Sequence, residues 1–360
     1  MSRTLAIAAT IAAITAGGNA TGWADTPVRP RVRLDVELTT QARAIVQAGE
    51  DLTDLRLDRG ELGAVVDVTP DVGAEFRFEA IRSASDGGSL GVDGDSTVVR
   101  VKYAQVVGGH ALTPWLRIDG AMGFVPDPWI RSLEDAYPLK ALSRTGSERL
   151  LGWQPSDLAL FAQLAAGPVR LAVHVGNGEG LRFPERNSGK TTTAVLGVEV
   201  LATRVVRLDA AVVGRDGSIG AGAIRDRRLG AQASIATPWL RAGGEVVRAW
   251  GIGNRGDLEG WLAEGWAEGH VLASGYVAAR AATLGYLDHG GRTSTFGGAV
   301  AYEPWREAGD RTERERGRVR VWLAVDRVTT RGDAMPVLGA DSGDATTIML
   351  IASALAPITF

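Results

Sequence analysis

From Arg31 onward the chain repeats one pattern, with apolar and polar residues alternating one for one. Arg31-Val32-Arg33-Leu34-Asp35-Val36-Glu37-Leu38 puts every charge on one side and every aliphatic on the other. Successive side chains of a β-strand point to opposite faces, so a strand satisfies this period and a helix does not. The pattern returns in Ala74 to Glu79, Val99 to Tyr103, Leu116 to Asp119, Val169 to Val175, Val206 to Asp209 and Arg318 to Leu323. It predicts about sixteen strands, over 31–48, 60–69, 72–83, 97–106, 113–123, 156–165, 168–176, 190–202, 205–214, 227–236, 238–250, 257–266, 269–283, 294–303, 317–328 and 346–360. Glycine and alanine blur the alternation between 238 and 283.

The connections sort by length. Thr69-Pro70-Asp71, Ala166-Gly167-Pro168, Thr203-Arg204 and Thr237-Pro238 are tight turns, whereas 49–59, 84–96, 177–189, 215–226 and 329–345 read as longer loops rich in glycine, aspartate and serine. A sandwich or propeller has no reason to sort its connections by parity, but a membrane-spanning barrel has short turns at one end and long loops at the other. The segment 303–316 breaks the rule: it is long and charged, yet falls on the short-turn side. Either the register slips there or one turn is enlarged.

The N-terminus supports export. Arg3 precedes an apolar run from Leu5 to Thr15, and Gly22 and Ala24 occupy the small-residue positions of a cleavage site before Asp25, with a second site after Ala20. The expected organisation is therefore a signal peptide over 1–24 and a barrel over 25–360. The last strand carries Ile348, Leu350, Ala352, Ala354, Ala356 and Ile358 on one face and ends on Phe360, as a closing strand of such a barrel does; Pro357 departs from the pattern by removing a ladder donor. Trp115, Trp239 and Trp305 beside the short turns, and Trp250 and Trp261 near the other end, are placed as an interfacial girdle would be. The fold class expected is all-β, a transmembrane antiparallel barrel of about sixteen strands.

Composition excludes other classes. A net charge of −3 over 360 residues gives no electrostatic basis for nucleic-acid binding, and the absence of cysteine removes disulfides, thiolate metal sites and a cysteine nucleophile. His110, His174, His270 and His289 are scattered without metal-ligand spacing, so no metal or cofactor is expected. His174 reads as a solvated lumen residue. The Asp288-His289 neighbours read as an ordinary turn rather than as part of a hydrolase, and no enzyme is expected.

The longest connection, 124–155, is the third on the long-loop side. Trp129, Leu133, Tyr137, Leu139, Leu142, Leu150 and Trp153 supply apolar anchors, while Arg131, Lys140, Arg144 and Arg149 alternate with Asp127, Glu134, Asp135 and Glu148. Loops of this length within a compact domain usually carry function. This one is expected to fold into the lumen, pinned by its anchors, with its charges toward the passage; the alternative is a surface loop with a short helix.

The residues around this loop carry a family resemblance. Ser156-Asp157-Leu158-Ala159-Leu160 leads to the Gly167-Pro168 turn, and the next strand opens through Asn177-Gly178-Glu179-Gly180; Gly123 to Ile130 contains a Pro128-Trp129 step. Over 113–190 this resembles the phosphate-selective porin O/P family of Gram-negative outer-membrane proteins. The resemblance implies a trimeric, water-filled, sixteen-stranded channel in the outer membrane, with lipid, lipopolysaccharide and the barrel-assembly machinery as its surroundings. It also implies a passage lined by arginine and lysine. Carried onto this sequence, the constriction would comprise Arg131, Lys140, Arg144, Arg149, Glu134 and Asp135 of the loop with Arg100, Lys102, Arg117 and Arg170 of the wall. The inward face holds slightly more cations than acids, so weak anion preference is expected, with phosphate one of the anions. The alternative is an outer-membrane barrel that conducts nothing and serves surface binding or structure, its lumen plugged by the third loop.

Overall fold

Sixteen antiparallel strands close on themselves in sequence order in the computed structural model. The structure describes residues 31–47, 50–82, 97–178, 180, 189–219, 224–252, 258–287, 290–306, 317–332 and 344–359. The signal-peptide segment, Glu179, the Asp288-His289 neighbours and Phe360 lie outside these residues. The strands are β1 (Arg31–Gln47), β2 (Glu50–Thr69), β3 (Val72–Arg82), β4 (Thr97–Thr113), β5 (Leu116–Pro126), β6 (Ser156–Ala166), β7 (Val169–Gly176) and β8 (Thr191–Ala202) in the first half. The second half comprises β9 (Arg207–Ile219), β10 (Ile224–Ala236), β11 (Leu240–Trp250), β12 (Glu259–Leu272), β13 (Gly275–Tyr286), β14 (Arg292–Arg306), β15 (Arg318–Arg331) and β16 (Ala345–Thr359). β1 pairs with β16 from Arg33↔Thr359 to Gln47↔Ala345, which leaves the sheet no edge. The connection between β5 and β6 holds two short helices, α1 (Pro128–Ala136) and α2 (Gly146–Arg149).

Polarity is inverted relative to a water-soluble barrel. Leu62, Phe76, Val99, Met122, Leu196, Leu229, Leu323 and Leu350 face outward and are exposed, whereas Glu61, Glu79, Glu264, Arg280 and Arg320 face inward and are buried. A continuous apolar outer face is the surface a bilayer solvates. Trp115, Trp239 and Trp305 are exposed at the short-turn end, as the girdle pattern expects, and Trp261 is exposed toward the other.

Several predicted boundaries need correction, each for a local reason. Most of the expected loop 49–59 is strand: β1 ends at Gln47 and β2 begins at Glu50. A bulge explains the misreading, because Thr39 faces Arg59 while Thr40 faces Leu57, leaving Asp58 extra. Leu55 and Leu57 point outward before the bulge and Gly60 and Leu62 after it, so the phase of alternation flips. The expected loop 215–226 is mostly β9 and β10. Its inward pair Arg215 and Asp226 and its outward Asp216, Arg225 and Arg227 charge both faces of one hairpin, which hides the alternation. β4 runs on to Thr113, well past its expected end. The turn expected near 267–268 lies at 273–274, because Glu264, Trp266 and Glu268 continue one inward row opposite alanine and glycine. At 303–316 the register does shift, by one residue: Tyr302 faces Val321 but Trp305 faces Val319, after which β14 and β15 stay paired to Arg306↔Arg318; residues 307–316 lie outside the described residues.

Candidate functional site

The third loop folds into the barrel, and its own sequence dictates how. Asp127 caps α1, accepting from the backbone N–H of Trp129 at 2.9 Å and of Ile130 at 3.4 Å, with Pro128 in the first turn, where its missing N–H costs nothing. Trp129, Ile130 and Leu133 fall on one helical face and are fully buried. α2 is held by a capping box between Thr145 and Glu148. The indole N–H of Trp129 donates to Ser147 Oγ at 3.3 Å, tying the two helices together.

The anchors meet an apolar inner wall. Tyr137, Leu139, Leu150, Leu151 and Trp153 of the loop join Val213, Val247, Leu262, Trp266, Tyr276, Leu284, Trp322 and Ile351 in one buried cluster. Leu142 is half-buried against it. Each large side chain so buried contributes about 1.5–3 kcal/mol. The expectation that apolar anchors pin the loop matches this packing. Much of the β7–β16 side is therefore dry beside the loop rather than water-lined throughout.

Opposite, the loop meets β1–β4 through charge. Lys102 sits at a second bulge, which turns both Lys102 and Tyr103 inward; Ser156 Oγ holds its carbonyl oxygen at 2.6 Å. Its ammonium donates to Glu61 at 2.9 Å and lies 3.6 Å from Glu134 of α1. Arg100 donates to Glu79 at 2.6 Å, and Arg144 of the loop approaches the same carboxylate at 3.5 Å. Arg59 and Arg77 complete the network through Glu61 at 3.8 and 3.2 Å. Lys140 faces Glu134 at 3.9 Å. Burial works to raise the Glu134 carboxyl, but Lys102, Lys140, Arg59 and Arg131 together hold it below the usual carboxylate range. Burial and the Glu134 charge push the Glu148 carboxyl up, and burial lowers Lys140.

The expected constriction residues thus divide. Lys102, Arg100, Glu134, Lys140 and Arg144 come together where loop meets wall. Arg149 lies away from them, donating to Thr295 Oγ1 at 2.9 Å and pairing with Glu264 at 3.4 Å, so it anchors the loop. Arg131 and Asp135 form a partly exposed pair at 3.8 Å on the polar face of α1. They line a cavity of about 710 Å³ reaching toward the short-turn end, with Arg117, Arg170, Arg207 and Asp119. Arg117 is paired with Asp119 at 2.6 Å and Arg207 with Asp209 at 2.8 Å. Arg170 has no ion-pair partner among the described residues.

Two expectations change. His174 is not solvated: it is buried at 1% exposure beneath the start of the loop. Nor do the inward charges all remain hydrated. Arg320 is buried between Glu268 at 2.9 Å and Glu303 at 2.9 Å with Tyr276 under its guanidinium, and Arg280 bonds Asp326 and the loop's Ser143, both at 2.6 Å. Sequence reasoning also misses Arg59, Glu61, Glu79, Glu245 and Glu264 as parts of the site; inward alternation could flag the glutamates, but not their partners. Asp127 is expected in the loop, but the sequence does not show its second task, which is to accept from Arg215 at 3.2 Å while Arg215 also holds Asp226. Among the described residues no cluster of histidine and carboxylate side chains could hold a metal ion.

No family model matches the chain, and no curated protein matches its sequence. Solved structures match its fold. The anion-selective porin from Comamonas acidovorans has a TM-score of 0.59 at 11% identity, over 92% of this chain and 100% of that one. OmpT of Vibrio cholerae in its trimer form has a TM-score of 0.58 at 11% identity, over 91% and 99%. The outer membrane channel DcaP of Acinetobacter baumannii has a TM-score of 0.57 at 12% identity, over 92% and 99%. The sixteen-stranded barrel is thus a fold this chain shares with outer-membrane porins.

Proposed function

We propose that the chain is an outer-membrane porin, a passive channel for small hydrophilic solutes and ions with the third loop as its constriction. One observation carries the reading: the barrel is apolar outside and ionised inside, and its longest loop is built into the lumen rather than laid over it. The fold shared with the anion-selective porin and with DcaP supports it. Export through the segment 1–24 and a homotrimer embedded in lipopolysaccharide belong to the same reading; OmpT, which has the same fold, has a trimer form.

Selectivity is weakly anionic in this proposal. The cavity wall sets five arginines, Arg117, Arg131, Arg170, Arg207 and Arg241, against six acids, Asp67, Asp71, Glu75, Asp119, Asp135 and Asp209, so any anion preference is weak and rests on the cation left unpaired. Most of these cations are engaged by neighbouring acids, and Arg170 remains to attract a passing anion. Phosphate is one such anion, but a dedicated phosphate ladder of the porin O/P kind would need more free cations than this wall offers. The second reading is a plugged barrel, favoured by the apolar packing of the loop on β7–β16 and by its ion pairs with β3 and β4, Arg144 with Glu79 and Glu134 with Lys102.

Single-channel recording of the heat-modifiable protein across a salt gradient separates them. Stable conductance steps with an anion-directed reversal potential are expected. Silence from a folded barrel, relieved by deleting 128–153, would establish the plug instead.

A further inference from the structure

The long-loop end of β14 and β15 carries charge on the outside of the barrel. Along β14, Thr293 and Thr295 point inward and are buried, so Arg292, Ser294 and Phe296 point outward. Along β15, Trp322 and Ala324 point inward, so Leu323, Val325, Arg327 and Arg331 point outward. The register sets Arg292 directly opposite Arg331. Like charges directly opposite on one face of a strand pair destabilise it. Arg327 is matched by Asp344 at 3.4 Å, but neither Arg292 nor Arg331 has an ion-pair partner among the described residues. Two arginines directly opposite each other on one face can together present guanidinium forks that suit the oxygens of a phosphate.

Below them the outer wall turns apolar within a few residues, through Phe296, Val325, Val300 and Leu323. A shallow groove of about 690 Å³ runs from Arg292 across β14 to β11, lined by Ser294, Phe296, Ala281, Gly265, Ala263 and Val246. Small side chains on its floor leave room for a hydrocarbon chain, and the arginines stand at the end where headgroups would lie. A free anion would have no use for the groove, and a neutral lipid none for the arginines.

We propose that Arg292 and Arg331 bind the phosphate of a membrane lipid bearing a phosphomonoester, with one acyl chain in the groove over β11–β14. In a Gram-negative outer leaflet the lipid of that chemistry is lipid A. The proposal rests on the membrane-spanning reading of the barrel, and conductance tests that reading separately.

The test is native mass spectrometry of the folded full chain in detergent, titrated with bisphosphorylated lipid A. The double variant R292Q/R331Q is expected to bind it about tenfold more weakly. R204Q, which removes an exposed charge from a turn at the opposite end, should bind as the parent does. Gly265→Leu should also weaken binding. A Cβ there meets nothing closer than 3.9 Å, so the side chain enters the groove without disturbing the wall. Heat-modifiable mobility confirms that each variant is folded. Equal affinity in R292Q/R331Q and the parent would overturn the proposal. So would displacement of the lipid by inorganic phosphate together with unchanged binding to the Gly265→Leu variant, since the arginines would then hold a free anion. A barrel that binds lipid A as expected but passes no current would sink only the channel reading.

Discussion

Glu245 of β11 and Glu264 of β12 stand directly opposite each other in the lumen wall, both buried, and both are turned to the third loop. Glu264 accepts the backbone N–H of Gly146 at 2.5 Å, and Glu245 accepts both the N–H and the hydroxyl of Ser147, at 2.9 and 2.5 Å. Two carboxylates side by side repel, and what reconciles them is the loop, which brings three donors and Arg149 to the pair. The pair therefore serves as a docking point for the loop. Glu264→Ala strands Arg149 and the Gly146 N–H, and breaking such a buried pair costs about 3–5 kcal/mol. The expected outcome is a loop that protease reaches on a barrel that still runs as a folded band. A protected loop in that variant would show that the apolar anchors suffice alone.

Acid should act on the loop in two opposed steps. The Glu148 carboxyl lies above its ordinary range, so it binds its proton better in the docked loop than in a released one. Its contribution is full below the ordinary value and is lost as pH rises through the raised one. The Glu134 carboxyl lies below its ordinary range, so its contribution is full above that value and is lost as pH falls through the lowered one. Docking should be tightest near the ordinary glutamate pKa of about 4.3. Protection of the loop from protease should rise as pH falls from 7 toward that value and fall below it, read by limited proteolysis at each pH. Glu148→Gln should flatten the upper limb and Glu134→Gln the lower; a limb that survives its substitution belongs to another group.

The alternation makes the architecture legible in the sequence alone, because every strand between two solvents must sort its side chains. Loop 124–155 is legible for a similar reason: Trp129, Leu133 and Leu139 have no place on an exposed loop. What escapes is whatever interrupts the period or depends on distant register. The bulges at Asp58 and Lys102 each insert a residue, so alternation continues out of phase. The ion pairs that hold the loop join residues far apart in the chain, such as Arg149 with Glu264 and Arg144 with Glu79, and no local pattern encodes which inward acid faces which cation. Charge counting therefore overstates the free cations, since it cannot see that Arg100 and Arg320 are spoken for by Glu79, Glu268 and Glu303.

That correction redirects the selectivity experiment. Reversing Arg149 would break the loop's docking rather than report on the passage. Arg170 and Arg131 are the informative pair: both line the cavity, Arg131 is ion-paired with a partly exposed Asp135, and Arg170 has no ion-pair partner among the described residues. A unit charge near a passing ion in water is worth about 1 kcal/mol, or about fivefold in relative permeability. Arg170→Gln, which removes one unit charge, should move the reversal potential toward cations by that order, and Arg131→Gln should add to it. The shift should shrink at high salt, where screening shortens the reach of each charge. An unmoved reversal potential at low salt would place the conducting path elsewhere than this cavity.

The membrane reading has its own check in the outer wall. Leu323 is exposed between Val300 of β14 and Leu350 of β16, in the apolar band that separates the two rims. An arginine in such a position costs about 2–4 kcal/mol near the bilayer midplane and little at the interface. Leu323→Arg should therefore lower the stability of the barrel refolded into vesicles by roughly that amount, read from urea titration of heat-modifiable mobility. Gln163→Arg adds the same group to the inner wall, where the cavity beside Asp119 gives it room and a counter-charge, and should cost far less. Equal losses in the two variants would mean that the outer face of β15 does not meet lipid, and the membrane-spanning reading would fail with it.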